Sequence, residues 1–149
     1  MKIMMAALLL MVMGCQADQK PQAIEAHDMC ASCKMAISQP QYAAQAVDKE
    51  GNAYKFDDVG CLLRYLREHK LPQARIYVMD YVAQQWLEAE SAIFVGSEAI
   101  ESPMASGLAA FRNRAAAQQF LRDTPGQMMS FTDLISQAPA AGHHASQRP

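Results

Sequence analysis

A glycine turn followed closely by two aspartates is what most restricts how this chain can fold. Glu50-Gly51-Asn52 separates two short β-prone runs, 42–48 and 53–56, and so predicts a hairpin. Asp57 or Asp58 then supplies a helix N-cap, and Leu62, Tyr65, Leu66 and His69 recur on one helical face until Leu71-Pro72 stops it. The segment 76–82 reads as a returning strand. Strands are also predicted at 92–95, 107–111 and 126–131, with a helix over 114–122 and a short terminal helix opening at Thr132 or Asp133. The expected fold is α+β: two similar ββαβ-like halves packed as one compact unit, with a flexible N-terminal tether and a disordered C-terminal tail.

The ends are read differently. Met1-Lys2 followed by an apolar run to Met13 is too short to span a bilayer, which takes roughly 20 apolar residues, and reads as an export signal over residues 1–14. Val12-Met13-Gly14-Cys15 resembles a bacterial lipobox, so Cys15 is the expected lipidation site; an ordinary signal peptide with an incidental cysteine is the alternative. Gln16 after it favours the outer membrane, with the protein on the periplasmic face. Residues 15–26 form the expected lipid-anchored linker, 27–137 the folded domain and 138–149 the tail, where His143-His144 is either a weak metal trap or part of a solvated segment. A net charge of −2 without a Lys/Arg cluster leaves no electrostatic footprint for nucleic acid.

The chemistry concentrates in His27-Asp-Met29-Cys30-Ala-Ser-Cys33-Lys-Met35, where two thiols, two thioethers and an imidazole fall within nine residues. Soft donors at that density point to a thiophilic metal, above all Cu(I). On an extended backbone Cys33 and Met35 share a face and would make an open two-point clamp, while Cys30 joins only if the chain turns. His27, Met29 and Met104 are further possible ligands. Discounting the five signal methionines leaves Met29, Met35, Met79, Met104, Met128 and Met129, which is no methionine-rich sponge.

Other readings of the same cysteines stay open. An exported protein commonly oxidises a cysteine pair, yet Cys30, Cys33 and Cys61 are odd in number, so one stays unpaired. Cys61, in the first turn of the predicted helix, reads as a small buried core residue or, if exposed, a reactive thiol. A closed zinc site wants four ligands, and no second pair of donors completes one. Thiol-disulfide exchange through Cys30 and Cys33 is the enzymatic alternative, although no predicted strand leads into Cys30 as in a thioredoxin-like unit.

Cys30-Ala-Ser-Cys33-Lys-Met35-Ala-Ile37, Gln45-Ala-Val-Asp-Lys-Glu-Gly51, Tyr54-Lys-Phe-Asp-Asp-Val-Gly-Cys61, Ser102-Pro-Met-Ala-Ser-Gly-Leu-Ala-Ala-Phe111 and Ser130-Phe-Thr-Asp-Leu134 together resemble the NosL family, lipoprotein accessory factors of nitrous oxide reductase maturation. The resemblance runs from Met29 to Leu134. It implies a non-enzymatic Cu(I) chaperone whose C-x-x-C-G-M element falls on Cys30, Cys33 and Met35. It also implies the apo-reductase and an ABC-type maturation complex as partners. Lys34 departs from the family's glycine, and because a side chain disfavours positive φ, the loop is expected to be set differently there.

Overall fold

The computed structural model describes residues 18–137. The signal segment, Cys15 and the His143-His144 tail lie outside the described residues. No helix among those described is long and apolar enough to cross a membrane.

Strands β1 (Ala44–Val47) and β2 (Ala53–Phe56) form the expected antiparallel hairpin. Gly51 takes φ 86 in its turn, and the Asp48 carboxylate accepts the N–H groups of Glu50 (3.0 Å) and Asn52 (2.8 Å). Helix α1 (Val59–Glu68) follows, with Asp58 as N-cap accepting from Cys61 N–H at 2.9 Å. Strand β3 (Arg75–Met79) returns beside β1, and β4 (Trp86–Glu88) adds an edge, giving the order β2-β1-β3-β4.

The second half repeats the pattern. Strands β5 (Ile93–Gly96) and β6 (Leu108–Phe111), helix α2 (Arg114–Phe120) and β7 (Gln127–Met129) form a three-stranded sheet ordered β6-β5-β7. In both halves the first strand is central, flanked by its hairpin partner and by the strand after the helix. Both helices also start alike: Phe56-Asp57-Asp58 corresponds to Phe111-Arg112-Asn113, and Asn113 accepts from Ala116 N–H at 2.9 Å as Asp58 does from Cys61. Helix α3 (Phe131–Gln137) closes the chain, its start held by reciprocal bonds between Ser130 and Asp133. The two halves touch where Tyr81 N–H donates to Ala110 O (2.8 Å), and where the loop 102–107 crosses the start of α1.

Three departures from the sequence reading have plain causes. Strand β3 ends at Met79 rather than Val82, because Asp80 turns the chain: its carboxylate accepts from Val82 N–H (3.1 Å) and is buried against Arg112 Nε (2.6 Å). β4 escapes sequence detection because it is three residues long and carries glutamate. Residues 18–28, assigned from sequence mostly to the linker, lie as a strap along the first sheet. Gln19 Nε2 donates to Val47 O (3.2 Å) and Gln73 O (2.8 Å), the fully buried Gln45 amide exchanges hydrogen bonds with the Gln22 backbone, and Lys55 reaches Ala23 O and the Asp28 carboxylate.

Asp58 does more than cap. Its fully buried carboxylate also accepts from Ser102 Oγ (2.9 Å) and Met104 N–H (3.3 Å), tying the second half to the first. Asp58→Ala, which orphans these buried donors as well as the cap, is expected to cost about 3 kcal/mol or more. Asn113→Ala, which removes an exposed cap alone, is expected to cost about 1 kcal/mol, both read from urea unfolding.

Candidate metal centre

The centre is assembled from three places in the chain. Met29 and Ala36 form an isolated antiparallel bridge, and between them the chain turns back: Cys30 N–H donates to Met35 O (2.8 Å) and Lys34 N–H to Cys30 O (3.0 Å). Ala31 N–H donates to Lys55 O (2.8 Å), fastening this loop to the edge of β2. The hairpin β1-β2 then delivers the chain to the first turn of α1, where Cys61 projects. The Sγ atoms of Cys30, Cys33 and Cys61 all lie within 4.8 Å of one another. An ion about 2.3 Å from three sulfurs in a plane needs them about 4 Å apart, so the spacing suits one thiophilic ion.

The backbone differs from the extended reading of Cys33–Met35. Residues 31–33 are a turn, and Lys34 stands in the left-handed region at φ 63. The loop therefore keeps the conformation that glycine favours despite the lysine, correcting the expectation that it would be set differently. Lys34 Nζ compensates by donating to Ala31 O at 2.7 Å. The turn swings Cys33 beside Cys30, whose Sγ accepts from Cys33 N–H (3.5 Å), and aims the Met35 N–H at Cys33 Sγ.

Charge is unevenly shared. The Cys61 thiol donates to Cys30 and outweighs the opposing effect of burial; the N–H groups of Cys33, Asp57 and Ser32 add to it, and the Cys30 thiol is brought down to about 4. Cys61 is pushed up, first because it is the donor in that bond and then by burial. Burial, and after it the charge on Cys30, raises Cys33 as well. Asp57, buried beside the cluster, is raised by desolvation while accepting from Ser38 N–H at 3.3 Å. All three cysteines are unpaired, Cys30 and Cys61 buried and Cys33 half-buried. The centre is thus one thiolate and two thiols, reached through Cys33.

Residues 21–139 match the family model described as NosL. The chain belongs to the NosL family. Among solved structures it is similar to the copper chaperone NosL from Shewanella denitrificans, with a TM-score of 0.66 and 18% identity over 78% of this chain and 96% of that one; at this identity the likeness speaks for the fold. A search of curated proteins gave no match.

Of the residues singled out from the NosL-like motif, Cys30 and Cys33 come together. Met29 and Met35 stand 54% and 56% exposed on the two arms of the loop, His27 is exposed in the preceding turn, and Met104 packs partly buried against the main core. Cys61, read as a core residue, is indeed buried but also contributes the third sulfur, which no local spacing announces. Its signal was indirect: an odd cysteine placed three residues after a capping aspartate.

Two outcomes follow from this geometry. Because Cys30 titrates at about 4 in the fold against an ordinary 9.0, its stabilising contribution is complete above about pH 9, shrinks on acidification and is gone below about 4. The stability difference between the metal-free parent and Cys30→Ser should therefore narrow steadily as pH falls across that window, while the ultraviolet thiolate absorbance of the folded parent persists until the pH nears 4. At Lys34, a β-branched residue tolerates φ 63 poorly, so Lys34→Val is expected to cost about 1–2 kcal/mol by urea unfolding, and Lys34→Gly to leave stability within about 1 kcal/mol of the parent.

Proposed function

We propose that this protein is a lipid-anchored Cu(I) chaperone that carries copper on the periplasmic side of a bacterial membrane, held through Cys15, the outer membrane being favoured. Its cargo goes to the apo-form of nitrous oxide reductase by way of an ABC-type maturation complex, in denitrification. The observation that carries the reading is the convergence of three sulfurs, two buried and one accessible, at a distance suited to one soft ion. Family membership and the fold shared with a copper chaperone point the same way.

Copper is cargo here, and the steps are ligand exchange. Cys30 already carries a thiolate and gives an arriving ion an immediate anionic ligand. Cys33 at the opening and Cys61 behind it ligate as they release their protons, so loading is coupled to proton release. Met35 and Met29, exposed at the mouth, are positioned to share the ion with an incoming donor or a departing acceptor while Cys33 lets go. Apart from the thiol protons released on loading, no covalent bond of the protein is broken. Met104 and His27 are secondary donors that a shift of their loops could recruit.

Thiol-disulfide exchange fits the same residues less well. That chemistry wants an accessible thiol of low pKa at a helix start. Here the low-pKa sulfur of Cys30 is 0% exposed, the accessible sulfur of Cys33 is raised, and the motif sits in a turn.

A competitive Cu(I) titration of the reduced protein against a chromophoric chelator tests the proposal. One copper per chain is expected, with Cys30→Ser, Cys33→Ser and Cys61→Ser each weakening binding by roughly two orders of magnitude, about 2.7 kcal/mol. Met35→Leu is expected to weaken it by about tenfold and to slow transfer to an acceptor. Unchanged affinity in Cys61→Ser would remove that residue from the ligand set, and absence of binding in the parent would overturn the chaperone reading.

A further inference from the structure

The first sheet has two unlike ends. At one, Ala44, Phe56 and Val78 align, α1 begins and the sulfurs converge; at the other, Val47, Ala53 and Arg75 align beside the segment 70–74 that leads from α1 into β3. The strap is fastened to the second end by Gln19, whose amide bonds to Val47 O and Gln73 O and whose own carbonyl accepts from Tyr77 Oη at 2.9 Å. From there it climbs the sheet through Gln22 and Ala23 to Asp28 and so to Cys30. The chain therefore enters the fold at the end farthest from its sulfurs.

Next to Gln73 lies an open groove of ≈ 280 Å³ between α1, the following loop and α3, lined by Leu63, Leu66, Leu71, Ile76, Phe131 and Ile135. Ile135 is half-exposed on an otherwise polar face. Arg67 and Lys70 stand exposed at its rim. Arg75, Lys20 and Lys49 nearby are engaged by Glu88, Asp18 and Glu50, whereas Arg67 and Lys70 have no ion-pair partner among the described residues. Apolar side chains framed by uncompensated cations match the junction of acyl chains and anionic headgroups.

We propose that this end of the domain is a membrane-seating surface for a phospholipid bilayer, holding the sulfur centre at the opposite end, turned away from the lipid. The inference rests on the anchoring reading of Cys15. Four Cα-to-Cα steps lead from Cys15 to Gln19, a reach of at most about 14 Å, while from Arg67 at the rim of the groove back to Cys61 the helix rises about 9 Å. The tether is thus long enough for the Gln73 end to meet the bilayer and too short to let the domain drift from it. The strap converts a covalent anchor into an orientation.

The test uses the full lipidated chain in phosphatidylethanolamine–phosphatidylglycerol vesicles, with and without dibrominated acyl chains as a fluorescence quencher. Trp86 is the single tryptophan, so Trp86→Phe gives a silent background. An indole is placed in it by Ile135→Trp at the groove or by Val82→Trp in the exposed loop after β3, both solvent-facing sites that accept a larger side chain. Several-fold stronger quenching at 135 than at 82 is expected, with Arg67→Glu/Lys70→Glu lowering it while the protein still floats with the vesicles. Equal quenching at the two sites in protein that floats overturns the seating surface alone. Failure to float overturns the anchoring reading together with it.

Discussion

The buried carboxylate of Asp58 is the joint on which the structure turns. One oxygen holds the first turn of α1, and with it Cys61; the other holds Ser102 and the backbone of Met104 from the second half. Ser102 in turn receives the N–H of Ser106 (2.9 Å), so the whole 102–107 loop is organised around a single ionisable group. Gly60 fits into the same crowding, since a β-carbon there would come within 2.6 Å of Ser106. A buried acid is expensive unless every lone pair finds a donor, and here the donors come from the elements that must be brought together. Closing the fold and placing the third sulfur are one event.

The repeated topology shows what the first half has that the second lacks. At the positions matching Asp57, Asp58 and Cys61 the second half carries Arg112, Asn113 and Ala116. Its cap is neutral and exposed, its arginine pairs with Asp80, and no sulfur follows. The same ββαβ frame thus serves as a chemical site in one copy and as a scaffold in the other, where its loop closes over the first helix. The preceding C-x-x-C loop, docked on the edge of β2 by Ala31, exists only ahead of the first copy.

Much of this frame was legible because it is locally encoded. Glu50-Gly51-Asn52 marks the first turn, the Asp57-Asp58 pair the start of α1, and short β-prone runs the strands. What escaped depends on distant partners. β4 exists because β3 offers an edge; the strap looks unpatterned because its stability lies in the amide of Gln45 and the cation of Lys55 rather than in its own residues. The extended reading of Cys33 and Met35 failed at Lys34, where docking on β2 and two hydrogen bonds outweigh a backbone preference worth about 1–2 kcal/mol. Cys61 could be placed on a helix from sequence, but its meeting with Cys30 needs the hairpin between them.

Only one of the three cysteines reaches solvent, and this separates how firmly the centre would hold an ion from how quickly it would give one up. Two sulfurs sealed in the core cannot be approached by a competitor, so small chelators and large partners alike must begin at Cys33. Cys33 thus belongs to both sides, sharing in the hold on an ion and serving as the doorway at which exchange starts. Changes around Met29, Lys34 and Met35 would then bear more on the pace of exchange than on the equilibrium, in which the three sulfurs dominate.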